Sequence, residues 1–324
     1  MQATARANSN IAFIKYWGNV DDDLRLPVNP SLSMNLEGLY TETRVRWDPD
    51  IASDEVMING ETAAIPAYER VVQHLDLIRK SLDLSLFAHV ESHNTFPMGA
   101  GIASSASAFA ALTMAATAAA GHTLPERELS VLARRGSGSA SRSIPTGFVE
   151  WYAGVSSGTS YAESIAPPDH WALVDVIALI SVEHKSVGST RGHVSAQTSE
   201  LQPARVAGAG ERLDKVRQAI LMRDFRSLAD VVEHDSNLMH AVMITSRPPL
   251  FYWQPASLTV MDSVRNWRLD GLQVCYTLDA GPNVHCICTE GAVAEVESGL
   301  RAIPGVQDVL VARPGGGAVV LSAE

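Results

Sequence analysis

Thr95-Phe-Pro-Met-Gly-Ala-Gly-Ile-Ala-Ser-Ser-Ala-Ser107 runs from a proline and two glycines straight into an alanine-rich stretch that ends near Gly121. Residues 86–91, just before it, read as a strand, so the unit reads as strand, glycine loop and helix. Glycines let backbone N–H groups approach an anion, and the helix N-terminus behind them adds a favourable dipole. Ser104, Ser105 and Ser107 place hydroxyls at the same end. An N-cap with a tight turn before a buried helix would look the same, and the stretch alone does not separate the two. No Gly-Lys-Ser/Thr follows, so this is not a Walker loop, and Ser104 stands where a dinucleotide fingerprint has its third glycine.

Working outward, 40–47 alternates as a strand, 58–63 carries an Asn-Gly turn, and 68–81 has helical spacing. A second helix over 125–135 leads into Gly136-Ser-Gly-Ser-Ala-Ser-Arg142. The run 174–182 is apolar except for Asp175 and predicts a central strand. Helical patterns at 210–222, 225–241 and 256–270 then mix with strands at 273–278, 284–289 and 306–311. The fold class is α+β in two domains, with the polar stretch 197–210 as the expected linker. No repeat of 20 to 50 residues is present.

With 324 residues, 46% of them hydrophobic and 19% charged, the chain is too apolar to be disordered and large enough for two cores. Its net charge of −11 repels polyanions, which excludes a nucleic-acid surface and requires any anionic substrate to meet a local basic pocket. Cys275, Cys286 and Cys288 are odd in number and form no C-x-x-C pair, so neither a disulfide framework nor a zinc site is indicated. The apolar run 11–14 is cut off by Lys15, too short for a signal peptide, and 103–121 is too rich in alanine, serine and threonine for a membrane span. The expectation is a cytoplasmic protein that binds neither membrane nor nucleic acid. The histidines form no H-E-x-x-H, and there is no G-x-S-x-G elbow.

Three further segments carry polar groups in suggestive places. Ser137, Ser139 and Ser141 alternate with small residues up to Arg142, which by itself reads as a flexible turn. Asp279-Ala-Gly-Pro-Asn283 sets a carboxylate at a strand end, where a turn-capping aspartate is the ordinary role. Asn8-Ser-Asn-Ile-Ala-Phe-Ile-Lys-Tyr-Trp-Gly18 in isolation is an amphipathic strand with Lys15 beside aromatics.

Together these segments resemble the mevalonate diphosphate decarboxylase family, a branch of the GHMP kinase superfamily. The resemblance is carried by Asn10-Ile-Ala-Phe-Ile-Lys-Tyr-Trp-Gly18, Leu26-Pro-Val-Asn-Pro-Ser-Leu-Ser33, Gly101-Ile-Ala-Ser-Ser-Ala-Ser107, Arg134-Arg-Gly-Ser-Gly-Ser-Ala-Ser-Arg142, Gly188-Ser-Thr190, Met239-His-Ala241 and Asp279-Ala-Gly-Pro-Asn283, in order along nearly the whole chain. It implies a ribosomal-protein-S5-like N-terminal domain over 1–190, a ferredoxin-like C-terminal domain over 191–324, an active site in the cleft between them, and a homodimer. The reaction implied is ATP- and Mg2+-dependent decarboxylation of a 5-phosphorylated mevalonate: the 3-hydroxyl is phosphorylated, phosphate leaves, and CO2 departs.

By motif, Asp279 matches the carboxylate that orients or deprotonates the 3-hydroxyl. Lys15 matches the lysine beside it, and Arg142 the arginine that grips the substrate C1 carboxylate, a planar task suited to guanidinium. Gly99, Gly101, Ser104, Ser105 and Ser107 would cradle the ATP phosphates, with Ser104 near Mg2+. Ser92 and Asn94 match adenine contacts, while Tyr16, Ser137, Ser139 and Arg191 match residues at the 5-phosphate end. Ser141 and His240 read as a packed turn and a core histidine.

Two departures bear on the substrate. Diphosphate-specific members usually read Lys-Tyr-Trp-Gly-Lys, and here the last position is Asn19. Charge-assisted hydrogen bonds to phosphate contribute roughly 1.5 to 3 kcal/mol each, so the loss points to mevalonate 5-phosphate as substrate and isopentenyl phosphate as product. The alternative is mevalonate 5-diphosphate, with Arg25 or another basic side chain filling the gap. His184 stands where a lysine is frequent, which leaves the phosphate contacts of 183–191 open. A GHMP kinase that stops at the phosphorylated product, or a silent binding relative, would lack reason to keep Asp279, Lys15 and Arg142 together.

Overall fold

β1 (Gln2–Ile14) alternates half-buried and buried residues as far as Asn8, with Ala3, Ala5 and Ala7 inward, and is buried throughout from Ser9. That pattern belongs to a strand covered first on one face and then on both. The structure, a computed structural model, describes residues 1–96, 104–182 and 188–324, apart from the side chains of Ser189 and Thr190. After β1 come the ribbon β2 (Asn19–Asp21) and β3 (Leu26–Pro27), the long β4 (Ser31–Asp48), the hairpin β5 (Glu55–Ile58) and β6 (Glu61–Thr62), and α1 (Ile65–Leu82). β7 (Phe87–Asn94), α2 (Ser104–Ala119), α3 (Glu126–Gly136), β8 (Phe148–Trp151) and β9 (Ala162–Ala166) complete the first half.

β4 is the spine of this half. It runs antiparallel to β1, pairs with β7 from Thr41↔Asn94 to Asp48↔Phe87, and pairs with β8 near its start. The Asn-Gly hairpin is present between β5 and β6, with Asn59 and Gly60 both at positive φ as a two-residue loop requires. Helices α1, α2 and α3 cover one sheet face around Val45, Leu75, Ile78, Val90, Phe109 and Leu112. The alanines of α2 are the reason it lies close to the sheet: Ala110, Ala111, Ala115 and Ala116 are fully buried and too small to hold it off. Among the described residues no helix is long and apolar enough to cross a membrane.

The second half holds β10 (Leu173–Leu179), α4 (Ser189–Ser195), α5 (Gln202–Ala207), α6 (Ala209–Met222), α7 (Phe225–Thr245) and α8 (Pro255–Leu269). It continues through β11 (Val274–Thr277), β12 (Val284–Thr289), α9 (Val293–Arg301), β13 (Asp308–Ala312) and β14 (Val319–Ala323). Its antiparallel sheet has the order β11-β12-β10-β13. One face packs on α8 and α9 through Val176, Val260, Val264, Val296 and Leu300. The other shares a core with α6, α7 and the inner ends of β1 and β4, where Ile177, Ile287, Val216 and Leu228 join Ile11, Phe13, Leu32 and Met34. The two halves are therefore welded by apolar packing.

The α+β, two-part architecture agrees with the sequence reading, but its division does not fall at 190/191. The chain changes sheets between β9 and β10, and β14 returns to pair with β1. An apolar run marks a central strand without saying which sheet it joins, so a division at 190/191 sets β10 with the first domain while its pairing with β12 and β13 sets it with the second. The stretch 197–210 is no linker either. It forms a 3₁₀ turn and α5, and its polar residues Gln202 and Arg205 are buried.

Candidate active site

Lys15 is the first residue past β1, and Asp279 lies two residues past β11, so strand ends from the two halves bring them together. Lys15 Nζ lies 2.6 Å from Asp279 Oδ1; the lysine side chain is 1% exposed and the carboxylate 24%. Burial pushes the Lys15 ammonium below its usual pKa, resisted by the carboxylates of Asp279 and Asp235. Burial opposes ionisation of Asp279, but Lys15, His285 and Arg142 outweigh it and hold the carboxyl below its ordinary range. The site thus keeps an ionised carboxylate facing the cleft.

Arg142 is the penultimate residue of a 3₁₀ segment, Gly138–Ser143, that follows α3 after one intervening residue. Its Nη1 donates to Ser31 Oγ at 2.7 Å and its Nη2 to Asn10 Oδ1 at 3.1 Å. Burial lowers its pKa to about 10, so it is still a cation at neutral pH. Both direct partners are neutral oxygens. A buried guanidinium held this way is prepared for an external anion.

These groups line a cavity of about 430 Å³. Tyr16, Ser137 and Ser139 share its wall with Ser104 and Ser105 from the first turn of α2 and Ser92 and Asn94 from β7. Ser105 Oγ lies 3.1 Å from Ser137 Oγ, linking the two serine-rich segments. Gly138 is required here because a Cβ would meet the Tyr16 ring at 2.5 Å. Burial raises the Tyr16 phenol to about 12, and its hydroxyl donates to Asn19 Oδ1 at 2.6 Å.

Several expected contacts are placed differently. Asn19 does not line the cavity; it stands behind Tyr16, with its amide donating to Asp22 Oδ1 at 2.8 Å. Ser107 is fully buried, bonded to Thr41 and to the Ser104 carbonyl, because the helix turns it toward the sheet; it braces α2 and does not face a ligand. Arg191 is an exposed residue of α4 outside the lining, whereas Gly188 and His193 on either side of it line the cavity. Gly99, Gly101 and His184 lie outside the described residues. Ser141 bonds the Gly138 carbonyl, as a packed turn should, and His240 is buried against Trp253 at 5.0 Å.

Arg70, on α1, lines the cavity and was not foreseen; neither was His193, which stacks on Tyr16 at 4.1 Å and accepts from the Gly18 N–H at 2.9 Å. Arg25 lines it as well. A single arginine in an amphipathic helix carries no motif; only the spacing of Arg70 and Val71, three and four residues after Ala67, hints at a shared surface. No group of three or more His, Cys, Asp or Glu among the described residues is arranged to hold a metal. A divalent ion here would rest on hydroxyls such as Ser104 together with ligand oxygens.

Comparison with known proteins gives the same picture. Residues 7–162 match the model of the diphosphomevalonate decarboxylase-like N-terminal domain, and 175–311 that of the mevalonate 5-diphosphate decarboxylase C-terminal domain. The gap between the matches coincides with the crossing from β9 to β10. The diphosphomevalonate decarboxylase of Ganoderma lucidum is 39% identical over 311 residues, 87% of this chain and 77% of its own. The human enzyme of that name is 37% identical, over 90% of this chain and 78% of its own. Among solved structures, one described as MDDEF in complex with MVAPP, AMPPCP and magnesium superposes with a TM-score of 0.94 at 37% identity, covering 99% of both chains. Mevalonate diphosphate decarboxylase from Staphylococcus aureus gives a TM-score of 0.93 at 35% identity, over 99% and 98%. With both halves matched and relatives 37% and 39% identical over most of the chain, the chain belongs to the diphosphomevalonate decarboxylase family.

Proposed function

We propose that the protein catalyses ATP-dependent decarboxylation of a 5-phosphorylated mevalonate. The observation that carries this is the Lys15–Asp279 pair, 2.6 Å apart, facing the same cavity as a buried Arg142 without a carboxylate partner among the described residues. Asp279, ionised, accepts the hydrogen bond of the 3-hydroxyl and takes its proton as that oxygen is phosphorylated. Lys15 balances negative charge beside the reacting oxygen. Arg142 holds the C1 carboxylate in place until it leaves as CO2. ATP supplies the phosphoryl group that turns the hydroxyl into a leaving group, and Mg2+ neutralises its phosphates. In this reading Ser104 and Ser105, at the start of α2, meet those phosphates and Ser92 and Asn94 the base, which is supported by all four lining the one cavity.

The diphosphate is the first reading of the substrate, with isopentenyl diphosphate as product. It is supported by the names of both matched domains and of the curated relatives, and by Arg25 and Arg70, two guanidiniums in the cavity wall able to answer extra phosphate charge. The monophosphate, preferred from the sequence, is kept as the second reading because of Asn19. That side chain is neutral, engaged by Tyr16, and backed by the carboxylate of Asp22. A homodimer in the cytoplasm is the family setting that goes with either reading. Measuring ADP and CO2 release with the two esters side by side tests both: ADP without CO2 means a kinase, and neither product means a binding protein.

A further inference from the structure

Lys15 sits where β1 leaves the sheet. The last ladder pair is Ile14↔Leu32, so its buried N–H and C=O must find partners elsewhere. Most of them come from the second half of the chain. The Lys15 N–H donates to Asp235 Oδ2 at 2.7 Å, and its carbonyl accepts from Asn29 at 3.0 Å and from Arg205 at 3.4 Å. Arg205 also donates to the Trp17 carbonyl at 2.6 Å and to Asn29 Oδ1 at 2.9 Å. Arg212 fixes the other oxygen of Asp235 at 2.7 Å. Asp235 is fully buried and Arg205 is 1% exposed. Neither lines the cavity.

We propose that Asp235, from α7, and Arg205, from α5, are positioning residues of the reaction: they hold the backbone of Lys15, so that its ammonium meets Asp279 only when the two halves are docked. This rests on Lys15 and Asp279 being the reacting pair. Asp235 has a second effect through space, because its charge supports the buried ammonium against desolvation. The charged and titratable groups around Lys15 are Asp279 after β11, Asp235 and His240 on α7, Arg142 on the 3₁₀ segment, Arg205 on α5 and Arg212 on α6, with His285 on β12 beside Asp279. Removing the Asp235 charge leaves Lys15 easier to deprotonate, so activity must fail at lower pH on the alkaline side.

The test is Asp235→Asn in the full chain, with kcat and KM measured across pH. Loosening the lysine should lower kcat about 10- to 100-fold, leave both KM values within about threefold, and move the alkaline limb to lower pH. The control is Glu150→Gln, which breaks another ion pair between the halves, Glu150–Arg217 at 2.7 and 2.8 Å, that does not bond the lysine backbone. It should lower Tm and leave kcat and the alkaline limb in place. An Asp235→Asn enzyme with unchanged kcat and alkaline limb, or a Glu150→Gln enzyme that matches it in both, overturns the proposal. If Asp235→Asn does not fold, Arg205→Lys decides: a comparable loss of kcat at constant KM supports the clamp, and full kcat overturns it. Wild-type protein that turns over neither ester would instead overturn the functional reading, before any variant is made.

Discussion

The phenol of Tyr16 donates to the amide oxygen of Asn19 at 2.6 Å, so Asn19 acts on the cavity only through the ring in front of it. A lysine at this position would have to displace that bond or reach past the ring, while facing the carboxylate of Asp22.

Asn19→Lys therefore tests phosphate number directly. If the missing cation limits use of the second phosphate, the substitution should raise kcat/KM for the diphosphate about tenfold or more and change the monophosphate value much less, since one charge-assisted contact is worth roughly 1.5 to 3 kcal/mol. Equal change for both esters would assign the terminal phosphate to Arg25 or Arg70.

Asp279→Asn keeps the shape of the carboxylate but cannot take the hydroxyl proton. Turnover should fall by roughly 10² to 10⁴, with nucleotide and substrate binding retained in calorimetry. Turnover within about tenfold of wild type would sink the assignment.

Arg142→Lys preserves charge and removes the planar fork held by Asn10 and Ser31. We expect weakened substrate binding and reduced kcat/KM, because an ammonium cannot reproduce two parallel bonds to a carboxylate. Unchanged kcat and KM would mean the substrate carboxylate lies elsewhere.

His74 and His240 are buried neutral, their pKa values pushed down to about 3, first by burial and then by nearby cations. Their folded values lie below the unfolded one, so the stability they contribute is present above pH 6.5 and is lost as pH falls toward 3. Each should cost about 2 kcal/mol between pH 7 and pH 5. Denaturant unfolding of wild type and His74→Gln at both pH values checks this; the variant should lose less on acidification, and an equal loss would contradict the buried neutral state.

How much was legible in advance follows from what each residue depends on. Elements set by local periodicity were readable: the hairpin at Asn59-Gly60, α1 from its helical spacing, and α2 from alanines behind a glycine loop. The reacting trio Lys15, Arg142 and Asp279 was legible only because each sits in a motif, since nothing in their separate surroundings tells a catalytic aspartate from a turn cap. Tertiary structure alone decided that β10 joins the second sheet and that Arg70 reaches the cavity. It also decided that Asp235 and Arg205 answer the backbone of Lys15 across 220 and 190 positions of chain. Such facts depend on which surfaces meet when the two halves share a core, and periodicity records a residue's own face but not the partner that covers it.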